Sequence, residues 1–349
     1  MQANLDDIPF SVLDLAPVVA GSTPREAFAN MLALAKHVEK LGYHRYWLAE
    51  HHNMAGVASS ATAVLIGQVA AHTRSIRVGS GGVMLPNHAP LVIAEQFGTL
   101  ESMFPGRIDL GLGRAPGTDP MTARALRRDL KTTAHDFPEL VEEIQSYFAP
   151  AQPEQYVLAQ PGTGLEVPIY ILGSSTHSAL MAARSGLPYA FASHFAPDEL
   201  MDALYLYRKN FQPSVKLKAP YVMVGVPLIT GRTEEEARYQ FTSTQQKYLN
   251  LVRGGSRQMQ APVDNIDQIW SAFEANAVAQ RLAVAIVGGA KTIREKLDAF
   301  LRKTEADEFI FVSDYFNFED RLRSFEILAS IKGSKTSDVQ NTKIQSLIK

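Results

Sequence analysis

Short apolar runs rich in β-branched residues alternate, along nearly the whole chain, with segments whose apolar residues recur every three or four positions. The first pair is typical. Residues 10–18 form a mainly apolar run that predicts a buried strand, and the apolar residues at 27, 31, 34, 38 and 41 share one face of a helix. Thr23 and Pro24 are suited to begin that helix, and Gly42 is suited to end it.

The alternation continues through eight strand–helix pairs. We predict strands at 10–18, 43–50, 76–85, 106–113, 168–173, 189–193, 221–229 and 308–314. Strands that alternate with helices indicate a parallel sheet. Eight such units favour a closed (β/α)8 TIM barrel over an open sheet, although periodicity alone does not separate the two.

One segment interrupts the pattern between the seventh and eighth strands. Residues 251–304 contain a basic glycine-rich loop, an apolar run AVAIVGG (283–289) and a further helical pattern. We predict that this segment is an insertion, so that residues 1–332 form a single barrel domain. The tail 333–349 is rich in Ser, Thr and Lys and is predicted to be frayed.

Composition narrows the function classes. Apolar residues make up 46% and charged residues 20% of 349, which is an ordinary globular balance. The net charge of −2 gives no general attraction to nucleic acid or to a membrane. Cysteine is absent, which excludes disulfides, a thiolate nucleophile and a cysteine-ligated metal. The N-terminus has no apolar signal-peptide core, so we expect a cytoplasmic protein.

The sequence EHHN (50–53) follows the second predicted strand, where a TIM barrel places catalytic groups. Histidine suits proton exchange near neutral pH, so we predict a general base or hydrogen-bond partner here, with one histidine held by its neighbour. Zinc binding is disfavoured because adjacent side chains point apart and a third ligand is not evident. A solvated strand end is the alternative.

The third predicted strand contains GSGG (79–82). Glycine weakens a strand and leaves no side chain to pack. Three glycines in four residues suggest that something flat or bulky lies against this backbone. A bulge or a tight corner is the alternative.

Groups suited to binding phosphate follow the fourth and fifth predicted strands. Arg114 comes directly after the fourth strand, and GSSTHS (173–178) opens a helix after the fifth. A guanidinium, together with hydroxyls and free N–H groups at a helix N-terminus, is suited to bind an anion. The alternatives are that Arg114 is a surface arginine and that the serines only cap the helix. The residues therefore suggest a flat, phosphate-bearing cofactor beside a histidine.

Four stretches carry a resemblance to the bacterial-luciferase-like family of flavin-dependent monooxygenases: YWLAEHHN (46–53), VGSGGVMLPNHAPLVIAEQF (78–97), GRIDLGLGRA (106–115) and GSSTHSALMAARSGLPYAFAS (173–193). The resemblance covers nearly the whole chain. It implies a barrel with an insertion, usually dimeric. It also implies a reaction of reduced FMN with O₂ that forms a C4a-hydroperoxide, which then oxygenates a small organic substrate. The reduced FMN is a diffusible cosubstrate that a separate flavin reductase supplies.

The resemblance also implies roles for individual residues. His51 matches the catalytic base, and Gly81–Gly82 match a pair joined by a non-prolyl cis peptide against the flavin ring. The other implied cofactor-binding residues are His52, Arg114, Arg124, Ser174, Ser175 and Ser178. Arg124 matches less securely because its loop is shorter. Gly113 stands where luciferase has a cysteine, so we predict a monooxygenase of the family and not a light-emitting luciferase.

Three other functions fit parts of the pattern. The same fold supports hydride transfer with the deazaflavin F420, which needs neither O₂ nor a reductase. Some relatives bind flavin without turnover. A metal-dependent hydrolase using His51 and His52 would require a metal that the sequence does not otherwise indicate.

Overall fold

A computed structural model describes residues 4–126, 137–256 and 258–332 of the chain. The predicted frayed tail at 333–349 lies outside these ranges. Residues 127–136 lie outside them as well.

The predicted TIM barrel is confirmed. Eight parallel strands close into a ring, because the last of them pairs both with the first strand and with the strand preceding it in the ring. These are β1 (Phe10–Asp14), β2 (Arg45–Leu48), β3 (Arg77–Ser80), β5 (Ile108–Gly113), β6 (Ile169–Gly173), β7 (Tyr189–Phe191), β8 (Val222–Thr230) and β10 (Glu308–Val312). Two short strands, β4 (Val83–Met84) and β9 (Ile286–Gly288), extend the sheet beside β5 and β8.

Helices surround the barrel. They are α1 (Pro24–Lys40), α2 (Thr62–His72), α3 (Pro90–Met103), α4 (Pro120–Ala125), α5 (Phe137–Phe148), α6 (Thr176–Arg184), α7 (Leu200–Asn210), α8 (Glu234–Val252), α9 (Ala272–Arg281), α10 (Ala290–Thr304) and α11 (Phe318–Ser330). The predicted start of α1 is confirmed: Thr23 caps it, Pro24 is its first residue, and Glu26 completes a capping box. Within the described ranges, no helix is long and apolar enough to cross a membrane.

The apolar run at 283–289 forms β9 and pairs in parallel with the carboxyl end of β8, from Leu228 opposite Ile286 to Thr230 opposite Gly288. A segment between α8 and α9 contacts the loop after β1. Ala20 in that loop donates its N–H to the carbonyl oxygen of Met259 at 2.9 Å. The chain around Met259 therefore lies beside the barrel mouth.

Alternate strand residues point into the barrel. The inward cluster includes Leu13, Trp47, Ala49, Tyr170 and Ile310, whereas residues such as Val12 and Tyr46 pack outward against the helices. This alternation determines which side chains reach the mouth.

A buried ionic network fills the lumen near the amino ends of the strands. Arg45 is 2.8 Å from Asp109 and 3.0 Å from Glu308, and Tyr221 donates to the same Glu308 at 2.6 Å. This end of the barrel is packed with paired charges, so ligands have access at the carboxyl ends of the strands.

Candidate active site at the barrel mouth

Three polar side chains are directed toward the mouth by strand alternation, and a fourth follows a strand in a turn. His51 continues the inward series of β2, Ser174 that of β6 and Asp314 that of β10, whereas His194 lies in the turn after β7 with its Nδ1 beside the inward Gly225 of β8. His51 and Ser174 are predicted from the sequence, and His194 and Asp314 are not.

The Glu50 carboxylate connects the EHHN segment to neighbouring parts of the chain through several hydrogen bonds. Its carboxylate lies 2.9 Å from Nε2 of both His52 and His88, and it accepts the backbone N–H of Met84 at 3.0 Å and the amide of Asn87 at 3.3 Å. Burial by itself would raise the pKa of Glu50, which is only 2% exposed, but the hydrogen bonds from His52, His88 and Met84 lower it to about 2. The ionised carboxylate ties the end of β2 to the chain that follows β3.

The backbone of the same segment is also held in place. The His51 N–H donates to the Ser59 carbonyl at 3.1 Å, and the His52 N–H donates to the Gly117 carbonyl at 3.2 Å. Asn53, at a φ of +55°, donates to Thr122 of α4 at 2.9 Å. One histidine is thus held by its neighbour, as expected, and it is His52. His51 is left as the histidine directed at the lumen.

The glycines of β3 are closely packed. A Cβ atom on Gly79 would lie 2.6 Å from Cβ of Asp109 and 2.8 Å from Nε1 of Trp47, and one on Gly81 would lie 2.6 Å from Leu13. The bulky neighbours of this backbone therefore include the protein's own lumen side chains. The Gly81–Gly82 peptide bond is cis.

The two predicted phosphate-binding segments leave adjacent strands side by side. Gly113 of β5 is in register with Leu172 of β6, so Arg114 emerges next to the residues that lead into α6. Ser175 caps α6 and accepts the Ser178 N–H at 3.4 Å. The arrangement offers a cation, hydroxyls and a helix N-terminus in one place.

The predicted cofactor-binding residues differ in accessibility. Ser174 and Ser175 are half-buried, whereas Ser178 is buried and its hydroxyl donates to the Ser175 carbonyl at 2.7 Å beside the Tyr189 hydroxyl. Arg124 is exposed on α4, close in sequence to residues 127–136, which lie outside the described ranges.

A polar group formed by His194, Asp314 and Lys247 is not among the residues predicted from the sequence. Lys247 of α8 donates to Oδ2 of Asp314 at 2.7 Å. The available signal was position, since His194 and Asp314 come soon after the ends of β7 and β10. A search of the described residues for three or more His, Cys, Asp or Glu able to hold a metal ion found no such group.

Comparison with known proteins gives a family match over most of the chain. The family model described as luciferase-like monooxygenase matches residues 8–308. The chain is 55% identical to protein YvbT of Bacillus subtilis (strain 168), over 93% of this chain and 97% of that one. It is 52% identical to a luciferase-like monooxygenase of Escherichia coli (strain K12), over the same shares. An N-acetyl-S-alkylcysteine monooxygenase of B. subtilis (strain 168) is 31% identical, over 92% of this chain and 97% of that one.

Solved structures share the fold. Apo-MsnO8 is 31% identical and superposes with a TM-score of 0.83, covering 94% of this chain and 100% of that one. The oxygenating constituent of 3,6-diketocamphane monooxygenase from Pseudomonas putida, in complex with FMN, has a TM-score of 0.70 at 17% identity and covers 93% and 97%. An F420-dependent secondary alcohol dehydrogenase has a TM-score of 0.67 at 14% identity and covers 94% and 100%.

Proposed function

The chain belongs to the luciferase-like monooxygenase family, and on this basis we propose that it uses reduced FMN and O₂ to oxygenate a small organic substrate. The observation that carries the proposal is the meeting, at one barrel mouth, of a phosphate-suited pocket and a lumen-facing histidine. A separate flavin reductase would supply the reduced FMN.

Arg114 and the N-terminus of α6 suit the phosphate of FMN. The guanidinium supplies charge and paired donors, and Ser174 and Ser175 supply hydroxyls at the positive end of a helix dipole. We assign Ser178 the task of shaping this turn, because its hydroxyl is already bonded to Ser175 and Tyr189.

The inner wall near the mouth suits a planar ring. The inward positions at or just beyond the carboxyl ends of four strands are small: Ala49, Gly81, Gly113 and Ala192. A ring system with its phosphate beside Arg114 could lie across these positions. When bound, reduced flavin supplies the electrons that activate O₂.

The proposed tasks of the chain are orientation, water exclusion and proton handling. His51 would hold or move a proton at an imidazole nitrogen next to the substrate. His52 would act by holding Glu50 and the loop in position, since its Nε2 is bonded to that carboxylate. The segment around Met259 would help keep water from the mouth.

A titration followed by rapid mixing tests this proposal. The protein is titrated with FMN and, separately, with F420; the FMN complex is then reduced without oxygen and mixed with O₂. We expect FMN to bind and a transient absorbance near ~380 nm to persist for seconds before oxidised flavin appears. Immediate reoxidation without the transient would indicate a flavin carrier or dehydrogenase. Preferential binding of F420, with substrate oxidation in the absence of O₂, would overturn the proposal in favour of hydride transfer.

A further inference from the structure

A second histidine faces His51 across the barrel mouth. In the ring of eight strands, β2 and β7 are four strands apart in either direction, so their carboxyl ends lie on opposite sides. His194 lies in the turn that directly follows β7, where the Phe195 N–H donates to the Ala192 carbonyl at 3.0 Å. The proton-handling role proposed above does not use it.

The fold makes room for this imidazole. Gly225 occupies an inward position of the neighbouring strand β8, and a Cβ atom there would lie 3.4 Å from Nδ1 of His194. On its other side the ring packs against Phe195, with centroids 4.3 Å apart, and Phe195 is 64% exposed. His194 therefore lies between the lumen and an apolar surface open to solvent.

Two buried polar atoms on this side of the mouth lack hydrogen bonds within the described part of the chain. They are Nδ1 of His194 and Oδ1 of Asp314. Nη2 of Arg321 is 3.9 Å from that oxygen, beyond hydrogen-bonding distance. Native proteins satisfy nearly all buried polar atoms, so two such atoms at the mouth point to a ligand that completes them.

The charges define the chemistry of that ligand. Burial, together with the nearby His51 and Lys247, lowers the pKa of His194 to about 4 against the opposing effect of Asp314, so the imidazole is neutral near pH 7. Burial would raise the pKa of Asp314, but Lys247 and Arg321 outweigh it and keep the carboxyl ionised. An ionised carboxylate only accepts hydrogen bonds. Asp314 therefore requires a group that donates an O–H or N–H, and the neutral imidazole accepts from the same kind of group when its proton is on Nε2.

We propose that His194 is a specificity-determining residue that, together with Asp314, hydrogen-bonds a hydroxyl or amide N–H of the organic substrate, while Phe195 contacts its apolar part. The substrate class is a neutral organic molecule with a hydrogen-bond donor, held opposite His51. The inference rests on the proposed function, because it treats the mouth as the place where the substrate meets the cofactor.

A pair of shape-matched probes tests the inference without turnover. Cyclohexanol carries an O–H donor, whereas cyclohexanone only accepts. Both are titrated into the protein loaded with oxidised FMN, and binding is followed by calorimetry and by the ring resonances of labelled histidine. We expect the wild type to bind cyclohexanol about 3–10-fold more tightly than cyclohexanone. We expect His194→Leu to lose this preference and His194→Gln, which can still hydrogen-bond, to keep part of it.

Phe195→Leu is the matched control, because it should weaken both probes together and leave their ratio unchanged. Equal affinities in the wild type, a preference that survives in His194→Leu, or no binding of either probe would overturn the inference. If His194→Leu does not fold, the ratio in His194→Gln decides, and an undiminished ratio overturns the inference. These titrations do not involve O₂. Failure of FMN binding or of oxygen activation is measured separately and counts against the proposed function.

Discussion

At the scale of single residues, the two adjacent histidines have different environments. His52 is bonded to Glu50, whereas His51 continues the inward series of β2. We expect His51→Ala to reduce substrate turnover by about 10²–10⁴-fold, because a positioned general base contributes that much, and to leave FMN affinity nearly unchanged. Steady-state kinetics and FMN titration measure the two effects. His37→Ala, in α1 beside Glu326 of α11 and away from the barrel mouth, is the control, and turnover that hardly changed in His51→Ala would remove His51 from the role.

Glu50 gives a prediction about stability and pH. Glu50→Gln replaces an ionised acceptor of two imidazoles, so we expect the free energy of unfolding near pH 7 to fall by about 1–3 kcal/mol. The folded pKa, about 2, lies below the ordinary 4.5, so the carboxylate stabilises the fold above pH 4.5 and this contribution is lost as pH falls toward 2. Urea unfolding at several pH values measures this.

The pH dependence of the unfolding free energy also shows which result would contradict this prediction. The stability difference between wild type and Glu50→Gln should shrink on acidification through that window, whereas Glu166→Gln, at an exposed position, should change stability little at any pH. A difference that stayed constant down to pH 2 would show that the Glu50 hydrogen bonds do not depend on its charge.

Residues whose role depends on local sequence could be predicted, whereas residues whose role depends on contacts distant in sequence could not. The EHHN segment was recognisable because its position after a strand is a local property. The partners of Glu50 were not, since His88 and Asn87 come from the chain after β3 and meet the carboxylate only when the barrel closes. His194 and Asp314 come soon after the ends of β7 and β10, but that position is informative only once the two strands are known to face a common lumen.

At the scale of elements, the register between β5 and β6 determines the proposed phosphate site. Because Gly113 pairs with Leu172, Arg114 emerges beside the start of α6. We expect Arg114→Ala to weaken FMN binding about 10–100-fold and to leave riboflavin, which lacks the phosphate, almost unaffected. Fluorescence titrations with both flavins measure this. Arg184→Ala, at the opposite end of α6, should leave both affinities unchanged, and an equal loss for FMN and riboflavin in Arg114→Ala would argue against a phosphate contact.

Strand β3 gives a second prediction at this scale. Gly79→Ala would place a methyl group 2.6 Å from Asp109 and 2.8 Å from Trp47, so we expect overpacking to destabilise the protein by about 1–3 kcal/mol. Gly67→Ala in α2 is the matched control. Its Cβ would meet Leu100 at an ordinary 3.4 Å, and alanine favours a helix by up to about 1 kcal/mol over glycine. Thermal unfolding of the two variants compares them, and a Gly79→Ala protein as stable as wild type would show that the lumen can relax.

The strand and helix pattern was predictable because its signals are local, and the closure of the ring was favoured by the count of eight units. The tightly packed glycines were not predictable in detail. GSGG indicated a close approach, but whether a cofactor or the protein itself approaches depends on Trp47 and Asp109, which belong to the neighbouring strands β2 and β5.

At the scale of the whole molecule, one surface differs from the rest of the helical shell. The exposed positions of α2 and α3 carry no Asp, Glu, Lys or Arg, and they include Val64, Val92 and Met103, which are 65%, 44% and 63% exposed. A face with large apolar side chains on two adjacent helices, on which the half-exposed Glu95 is the charged residue, is typical of a subunit interface. A second copy of the chain is the natural occupant, since a two-fold axis would bring the same face of each subunit together.

We therefore expect a homodimer through α2 and α3, and Val92→Glu to convert it to a monomer because a carboxylate would be buried without a partner. Sedimentation and light scattering measure the mass. Phe273→Glu, at a 79% exposed apolar residue of α9, should leave the dimer intact. A monomeric wild type, or a dimer unaffected by Val92→Glu, would contradict this interface.

The interface is also connected to the site, because Thr62 at the start of α2 donates to the Ala49 carbonyl at 3.1 Å, and α3 begins two residues after His88. The helices that would pair two subunits are thus the ones that position the Glu50 network, so the monomeric variant should also lose turnover.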